Sequence, residues 1–95
     1  MVEMERTGPA SARLLENGNA VGEAAWVMEP LEWPGESVQL ARVERMECPQ
    51  NLRADFWAYL CFLFQTDRAA AAELEGVKFW FSEALQKSWE LASGK

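Results

Sequence analysis

The chain has 95 residues and a net charge of −6, with 49% hydrophobic, 25% charged and 12% aromatic residues. This length predicts a single domain over residues 1–95, and the apolar content argues against wholesale disorder. The charge disfavours direct binding to nucleic acid or to anionic lipid, because such binding needs clustered Lys and Arg. The nine basic residues are instead scattered along the chain.

Charged and aromatic residues are segregated along the sequence. Residues 1–48 hold nine Glu against four Arg, whereas nine of the eleven aromatic residues lie in the last forty positions. One half therefore presents negative charge, and the other carries more apolar surface than a small domain easily hides. This asymmetry indicates a module that works by contact with another protein.

The apolar segments are short. The longest uninterrupted run, from Phe56 to Phe64, has nine residues, whereas a membrane span needs about 20. Charged residues interrupt the first twenty positions, so we expect no signal peptide, no membrane association and a cytoplasmic location. In that compartment Cys48 and Cys61 should stay reduced.

The first half of the chain reads mainly as strands. Residues 1–10 lack periodicity and predict a flexible arm. Asn17-Gly18 between apolar runs predicts a hairpin whose second strand runs from Ala20 to Met28. A short helix beginning at Pro9 and ending at Gly18 is the competing interpretation for residues 9–16.

A third strand is predicted from Val38 to Met46, after a Pro- and Gly-containing loop. The alternation of apolar residues slips in the middle of this segment, which a β-bulge would explain. A helix over residues 37–47 would also fit, because Leu40, Val43 and Met46 recur every three residues.

Helices are predicted for the second half. Apolar stripes predict one over about 51–65, four consecutive alanines favour a second over about 67–75, and a third follows over about 77–92. The predicted fold is α+β, with a small antiparallel sheet of two or three strands (about 12–46) followed by two or three C-terminal helices.

Few residue types here could support catalysis or bind a metal. The chain has no histidine and two cysteines, which excludes the common triads and leaves a structural zinc site short of ligands. The glycines match no phosphate-binding or dinucleotide-binding motif. We therefore predict no catalytic, cofactor-binding or metal-binding residues and a protein that is not an enzyme.

The aromatic helices predict self-association. Nine aromatic side chains that bury about 150–250 Å² each need more cover than a two- or three-stranded sheet provides. A homodimer would supply that cover. The candidate self-association residues are Trp57, Cys61, Phe64 and Phe79.

Acidic residues and tryptophans cluster in the second strand and the loop that follows it. Such a cluster suits docking on the basic surface of another protein, for example one that binds nucleic acid, because Trp is enriched at binding hot spots. The candidate partner-binding residues are Glu23, Trp26, Glu29, Glu32, Trp33 and Glu36.

In length, charge and absence of catalytic motifs, the chain resembles the small acidic single-domain inhibitors that phages encode against host enzymes, including anti-CRISPR proteins. The likeness is one of composition and transfers no residue. It implies a non-enzymatic module that docks on a larger protein and inhibits or modulates it. Two alternatives are a structural subunit that completes another protein's core and a small-molecule binder with an aromatic pocket.

Overall fold

The computed structural model describes residues 1–31 and 38–92. These residues form six strands, two α-helices and one 3₁₀ turn. The strands are β1 (Val2–Gly8), β2 (Ser11–Glu16), β3 (Asn19–Leu31), β4 (Val38–Glu47), β5 (Ala69–Leu74) and β6 (Val77–Trp80); the 3₁₀ turn is Gln50–Leu52, and the helices are α1 (Arg53–Thr66) and α2 (Glu83–Ala92).

The six strands form one mixed sheet in the order β1-β2-β3-β4-β5-β6. All neighbours are antiparallel except β4 and β5, which are parallel and are connected through α1. The predicted sheet of two or three strands over 12–46, followed by two or three helices, is therefore wrong. Strands were missed at both ends of the chain, and only one helix follows the sheet.

The Asn17-Gly18 hairpin is confirmed. Asn17 and Gly18 have φ of 52° and 84°, as a two-residue turn between antiparallel strands requires. Residues 11–16 are strand rather than helix. Strand β4 does contain a bulge, at Glu44, between the pairs Trp26–Val43 and Ala25–Arg45. It does not account for the slipped apolar alternation, because Leu40 and Ala41 pair regularly with Glu29 and Met28 and are both buried, on opposite faces of the sheet.

Residues 1–10, expected to be a flexible arm, include the edge strand β1. Its Met4 lies opposite Leu14 and packs against the core. The Arg6 guanidinium holds the following turn by donating to the carbonyls of Gly8 and Pro9, at 3.0 and 2.6 Å. It also donates to both carboxylate oxygens of Asp67, at 3.2 and 2.6 Å, and this interaction raises the pKa of Arg6.

The alanine-rich segment, predicted as a helix over 67–75, is strand β5. The reason lies just upstream, where Arg68 has a φ of 64° and so cannot continue α1. The segment then lies between β4 and β6 with Ala69–Ala72 at most 8% exposed. Sheet hydrogen bonds and burial of these small side chains outweigh the helix propensity of alanine.

The third predicted helix, over 77–92, begins only at Glu83. Glu75 and Gly76 have φ of 53° and 82°, so they form a two-residue turn that reverses the chain into β6. Leu74 and Val77 face each other across that turn. Glutamate at a positive-φ position is uncommon, which is why Glu75-Gly76 is not a clear hairpin signal in the sequence.

The core lies between α1 and one face of the sheet. The helix buries Phe56, Leu60, Leu63 and Phe64. From β3, the indole of Trp26 is 1% exposed and meets Phe64 edge to face at 5.1 Å between ring centroids. We call the sheet surface that faces α1 the helix face and the opposite surface the open face.

Gly22 is required where β3 passes the end of β4. A Cβ added there would lie 2.7 Å from the Glu47 carbonyl oxygen and 2.8 Å from the Cys48 Cβ. We expect Gly22→Ala to lower the free energy of unfolding by about 1–3 kcal/mol, because the backbone must move apart. Urea denaturation measures this loss. The exposed neighbour Ala20, changed to Ser, should stay within about 0.5 kcal/mol of the parent; equal stability of the two variants would contradict the steric argument.

Candidate protein-binding surfaces

An apolar surface lies where α1 approaches the last strand of the sheet. The side chain of Trp57, on the flank of α1, meets Phe79 of β6 at 5.3 Å between ring centroids. Trp57 also meets the buried Phe64 at 6.3 Å. This flank of α1 and the helix face of the β5–β6 hairpin form what we call the α1–β6 surface, whose members are Ala54, Trp57, Cys61, Leu74, Val77 and Phe79.

A groove of about 350 Å³ runs between the two parts of this surface. Its walls include Trp57, Leu74 and Phe79. Arg53 also lines the groove and donates to Glu75 at 3.1 Å. Mostly apolar grooves with a few polar groups at their walls commonly bind a small ligand or a partner's side chain.

The structure brings three of the four predicted self-association residues to this surface. Trp57 and Cys61 are partly buried, and Phe79 is 41% exposed. The fourth, Phe64, is 0% exposed and belongs to the core. The spacing of apolar residues predicted two stripes on α1, one with Trp57, Cys61 and Phe64 and one with Leu52, Phe56, Tyr59, Leu60 and Leu63. The buried residues of α1 come from both stripes, so Phe64 is covered while Trp57 lies at the flank.

Interleaved charges cover much of the open face. Glu5, Arg13, Glu23 and Glu47 lie in one row across β1 to β4. Ion pairs on this face join neighbouring strands: Arg13 with Glu5, Arg42 with Glu29, and Arg45 with Glu23 at 3.1 Å. At the helix face, Arg6 pairs with Asp67 at 2.6 Å.

The predicted acidic cluster is only partly assembled in the structure. Glu23 and Glu29 share the open face, but both carboxylates are bonded to arginines. Trp26 points to the helix face and is buried, so it is not beside them. The remaining three members, Glu32, Trp33 and Glu36, lie outside the described residues.

A lysine between two indoles attaches α2 to the open face, and the sequence alone did not indicate it. The Lys78 Nζ lies 5.6 Å from the Trp80 ring centroid and 5.5 Å from that of Trp89. The two indoles are 6.0 Å apart. Lys78 and Trp80 alternate with Phe79 along β6, so α2 contacts the face opposite to α1. The spacing of Lys78 and Trp80 is the one signal that could have indicated this contact.

The two cysteines are free thiols. Partial burial raises the pKa of Cys61 to about 11. Cys48 lies at the other end of the sheet, beside Gly22 and Glu47 in a shallow cleft. Across the described ranges, no group of three or more Cys, Asp or Glu side chains is placed to hold a metal ion, and neither helix is long and apolar enough to cross a membrane.

The raised pKa of Cys61 predicts slow alkylation. In a Cys48→Ser variant Cys61 is the remaining thiol, and near pH 8 only about one molecule in a thousand should carry the thiolate. We expect its reaction with iodoacetamide to accelerate as the pH rises towards 11. Mass spectrometry of the alkylated protein measures the rate. A rate that levels off near pH 9 would contradict the effect of burial; a Cys61→Ser variant reports Cys48 for comparison.

Comparison with protein-family models, with curated proteins and with solved structures finds no match.

Proposed function

We propose that this chain is a non-enzymatic protein-binding module. It self-associates through the α1–β6 surface and docks through its acidic N-terminal half on a basic surface of a larger protein, which it inhibits or modulates. The observation that carries the proposal is the position of Phe79, 41% exposed at the sheet edge beside Trp57.

Exposed rings at such a position support a role in binding. Val77 is 54% exposed on the same side of β6, so the apolar surface extends beyond one side chain. Partly exposed aromatic residues beside a groove are typical of binding hot spots, where a partner's side chain removes them from water. The six-stranded sheet covers more aromatic surface than a two- or three-stranded one would, so the α1–β6 surface is a local excess.

The strand order separates this surface from the acidic half. Residues 1–48 carry five negative charges in excess and include β1 to β4, whereas β6 is the strand at the far edge of the sheet. A second copy bound at β6 therefore leaves the acidic strands accessible to another protein. Net negative charge would steer that encounter towards a basic surface.

Removing the Phe79 ring should weaken self-association. We expect the parent chain to dimerise with increasing concentration in light scattering after size exclusion, and Phe79→Ser to need at least about tenfold more protein for the same mass. The matched control is Phe62→Ser, because Phe62 is 64% exposed on the outer side of α1 and lies away from β6. Its loss should leave the mass unchanged.

The same measurement separates the alternatives. A parent chain that stays monomeric at the highest soluble concentration would contradict the self-association proposal. A parent that is insoluble or lacks fixed tertiary structure when expressed alone would favour the structural-subunit alternative. Equal effects of Phe79→Ser and Phe62→Ser would mean that general hydrophobicity, and not the α1–β6 surface, drives association.

Charge steering predicts a salt-dependent association rate. With a partner recovered by affinity capture and purified, the rate should fall several-fold between low and moderate salt. Replacing Glu16 and Glu44 by Gln should reduce the association rate at low salt more than Glu83→Gln does, because Glu83 lies on α2, outside the acidic half. Surface plasmon resonance measures both. A rate insensitive to salt would contradict docking by charge.

The groove supports a second candidate function, the binding of a small apolar ligand. Its volume of about 350 Å³ is within the range of ligand pockets. Such a ligand would raise the melting temperature of a monomer in a thermal-shift screen. It would also compete with self-association, since both use Trp57 and Phe79.

A further inference from the structure

We propose that two copies of this chain join β6 to β6 in antiparallel orientation, with Phe79 facing Phe79 of the second copy. The inference rests on the proposed homodimer and specifies its geometry. The two sheets then become one continuous sheet with a two-fold axis perpendicular to it, and both α1 helices lie on the same face.

The backbone of β6 has the hydrogen-bonding groups that this pairing needs. The Phe81 N–H donates to the Ala70 carbonyl at 3.2 Å, so Phe81 points its backbone groups inwards, towards β5. Backbone groups alternate along a strand. Phe79 therefore also points inwards, whereas the N–H and C=O of Lys78 and Trp80 point outwards. Among residues 1–31 and 38–92, no strand pairs with this outer edge.

The orientation of the two copies follows from the position of the apolar side chains. A two-fold axis perpendicular to the sheet keeps the helix faces of both copies on the same side. It also sets one residue of β6 opposite the same residue of the second copy. Phe79 and Val77 of both copies then lie on one side. A pairing that set Lys78 opposite Phe79 would place the two α1–β6 surfaces on opposite sides of the sheet and leave both uncovered.

The register follows from the side chains that would face each other. Centring the pair on Lys78 sets two ammonium groups opposite each other, which is destabilising. Centring it on Trp80 sets Lys78 opposite Ser82, beyond the end of the strand. Centring it on Phe79 joins the two phenyl rings, pairs Val77 with Phe81, and brings each Lys78 beside the other copy's Trp80, where a cation–π contact can form.

Charge excludes the opposite edge of the sheet from the same role. Strand β1 carries Glu3, Glu5 and Arg6, and its pairing with β2 is irregular between Arg6 and Gly8. Charged side chains and bulges on an edge strand discourage pairing with another chain. The edge of β6 carries Val77, Phe79 and Trp80 and only one charge.

A second copy fits this edge because one register pairs apolar with apolar side chains and Lys78 with Trp80, with no like charges opposite each other. The surface involved is small. At about 200 Å² per ring, the exposed part of Phe79 contributes under 100 Å², and a standard interface buries about 800 Å² on each partner. The dimer should therefore be weak and concentration-dependent.

Single cysteines on β6 test the register. In a Cys48→Ser, Cys61→Ser background, Phe79→Cys places two Cα atoms about 4.5 Å apart across the non-hydrogen-bonded pair, within disulfide range. Lys78→Cys and Val77→Cys place them about 8 and 14 Å apart, outside it. Under mild oxidation at high protein concentration, non-reducing electrophoresis should show a covalent dimer for Phe79→Cys and little for the other two.

Each other pattern overturns the inference. Dominant cross-linking of Lys78→Cys would mean a register centred on Lys78, and equal cross-linking of all three would mean random collision. If Phe79→Cys does not cross-link at a protein concentration where Phe79→Ser still dimerises by light scattering, the dimer uses another geometry and the proposed function stands. A monomeric parent contradicts both.

Proline at position 78 tests the backbone hydrogen bonds without relying on cross-linking. The Lys78 N–H points outwards, so Lys78→Pro removes no bond to β5, and proline is tolerated on edge strands. We expect Lys78→Pro to raise the dimer dissociation constant at least tenfold above that of Lys78→Ala, which lacks the same charge but keeps the N–H. Equal dissociation constants in two folded variants would contradict strand pairing; circular dichroism checks the folding.

Discussion

The parallel pairing of β5 with β4 beneath α1 constrains the rest of this structure. A parallel neighbour can be reached only by a crossover, so α1 must cross over the sheet and lie against it. The strand that receives the crossover is buried on both faces, with Ala71 and Ala72 at 0% exposure. On the face towards α1, the methyl side chain of Ala72 leaves room for the large rings of Trp26 and Phe64 in the same core cluster.

This arrangement places two further aromatic side chains, Trp57 and Phe79, at the edge of the sheet. The centre of the core is filled by two helix rings, Phe56 and Phe64, together with Trp26. Trp57 lies one step round the helix from them and meets Phe79, which stands on the last strand. Because nothing in the described ranges pairs beyond β6, the rings at this edge have protein on one side and open space on the other. A local apolar surface results.

The open face of the sheet has different physical properties. Ion pairs between Glu and Arg connect neighbouring strands, and exposed pairs of this kind contribute little to stability. They keep this face of the sheet solvated and oppose its burial against another apolar surface. The acidic half is therefore less negative at Glu23 and Glu29 than the sequence implies, since each faces an arginine. The proposed docking depends more on the net field of β1 to β4 than on those two carboxylates.

Local sequence rules determined the elements whose signals were local. Asn17-Gly18 defined a hairpin because both residues tolerate positive φ, the apolar residues of 38–46 indicated a strand, and the apolar run 56–64 indicated α1. Trp57, within that run, and Phe79, outside it, were predicted as self-association residues, and the structure brings their rings into contact at 5.3 Å. The segregation of charged from aromatic residues is a property of the sequence itself, because it depends only on the order of residues along the chain.

Tertiary structure decided what local propensity could not. Ala69–Ala72 favour helix by themselves, but the left-handed turn at Arg68 and burial beside β4 make them a strand. Residues 2–8 show no strand pattern in the sequence and become a strand by pairing with β2. Phe64 is buried because its side of α1 lies against the sheet. Phe79 is exposed because β6 is the last strand of that sheet. Strand pairing joins residues distant in sequence, so its outcome follows from the whole sheet and not from any single segment.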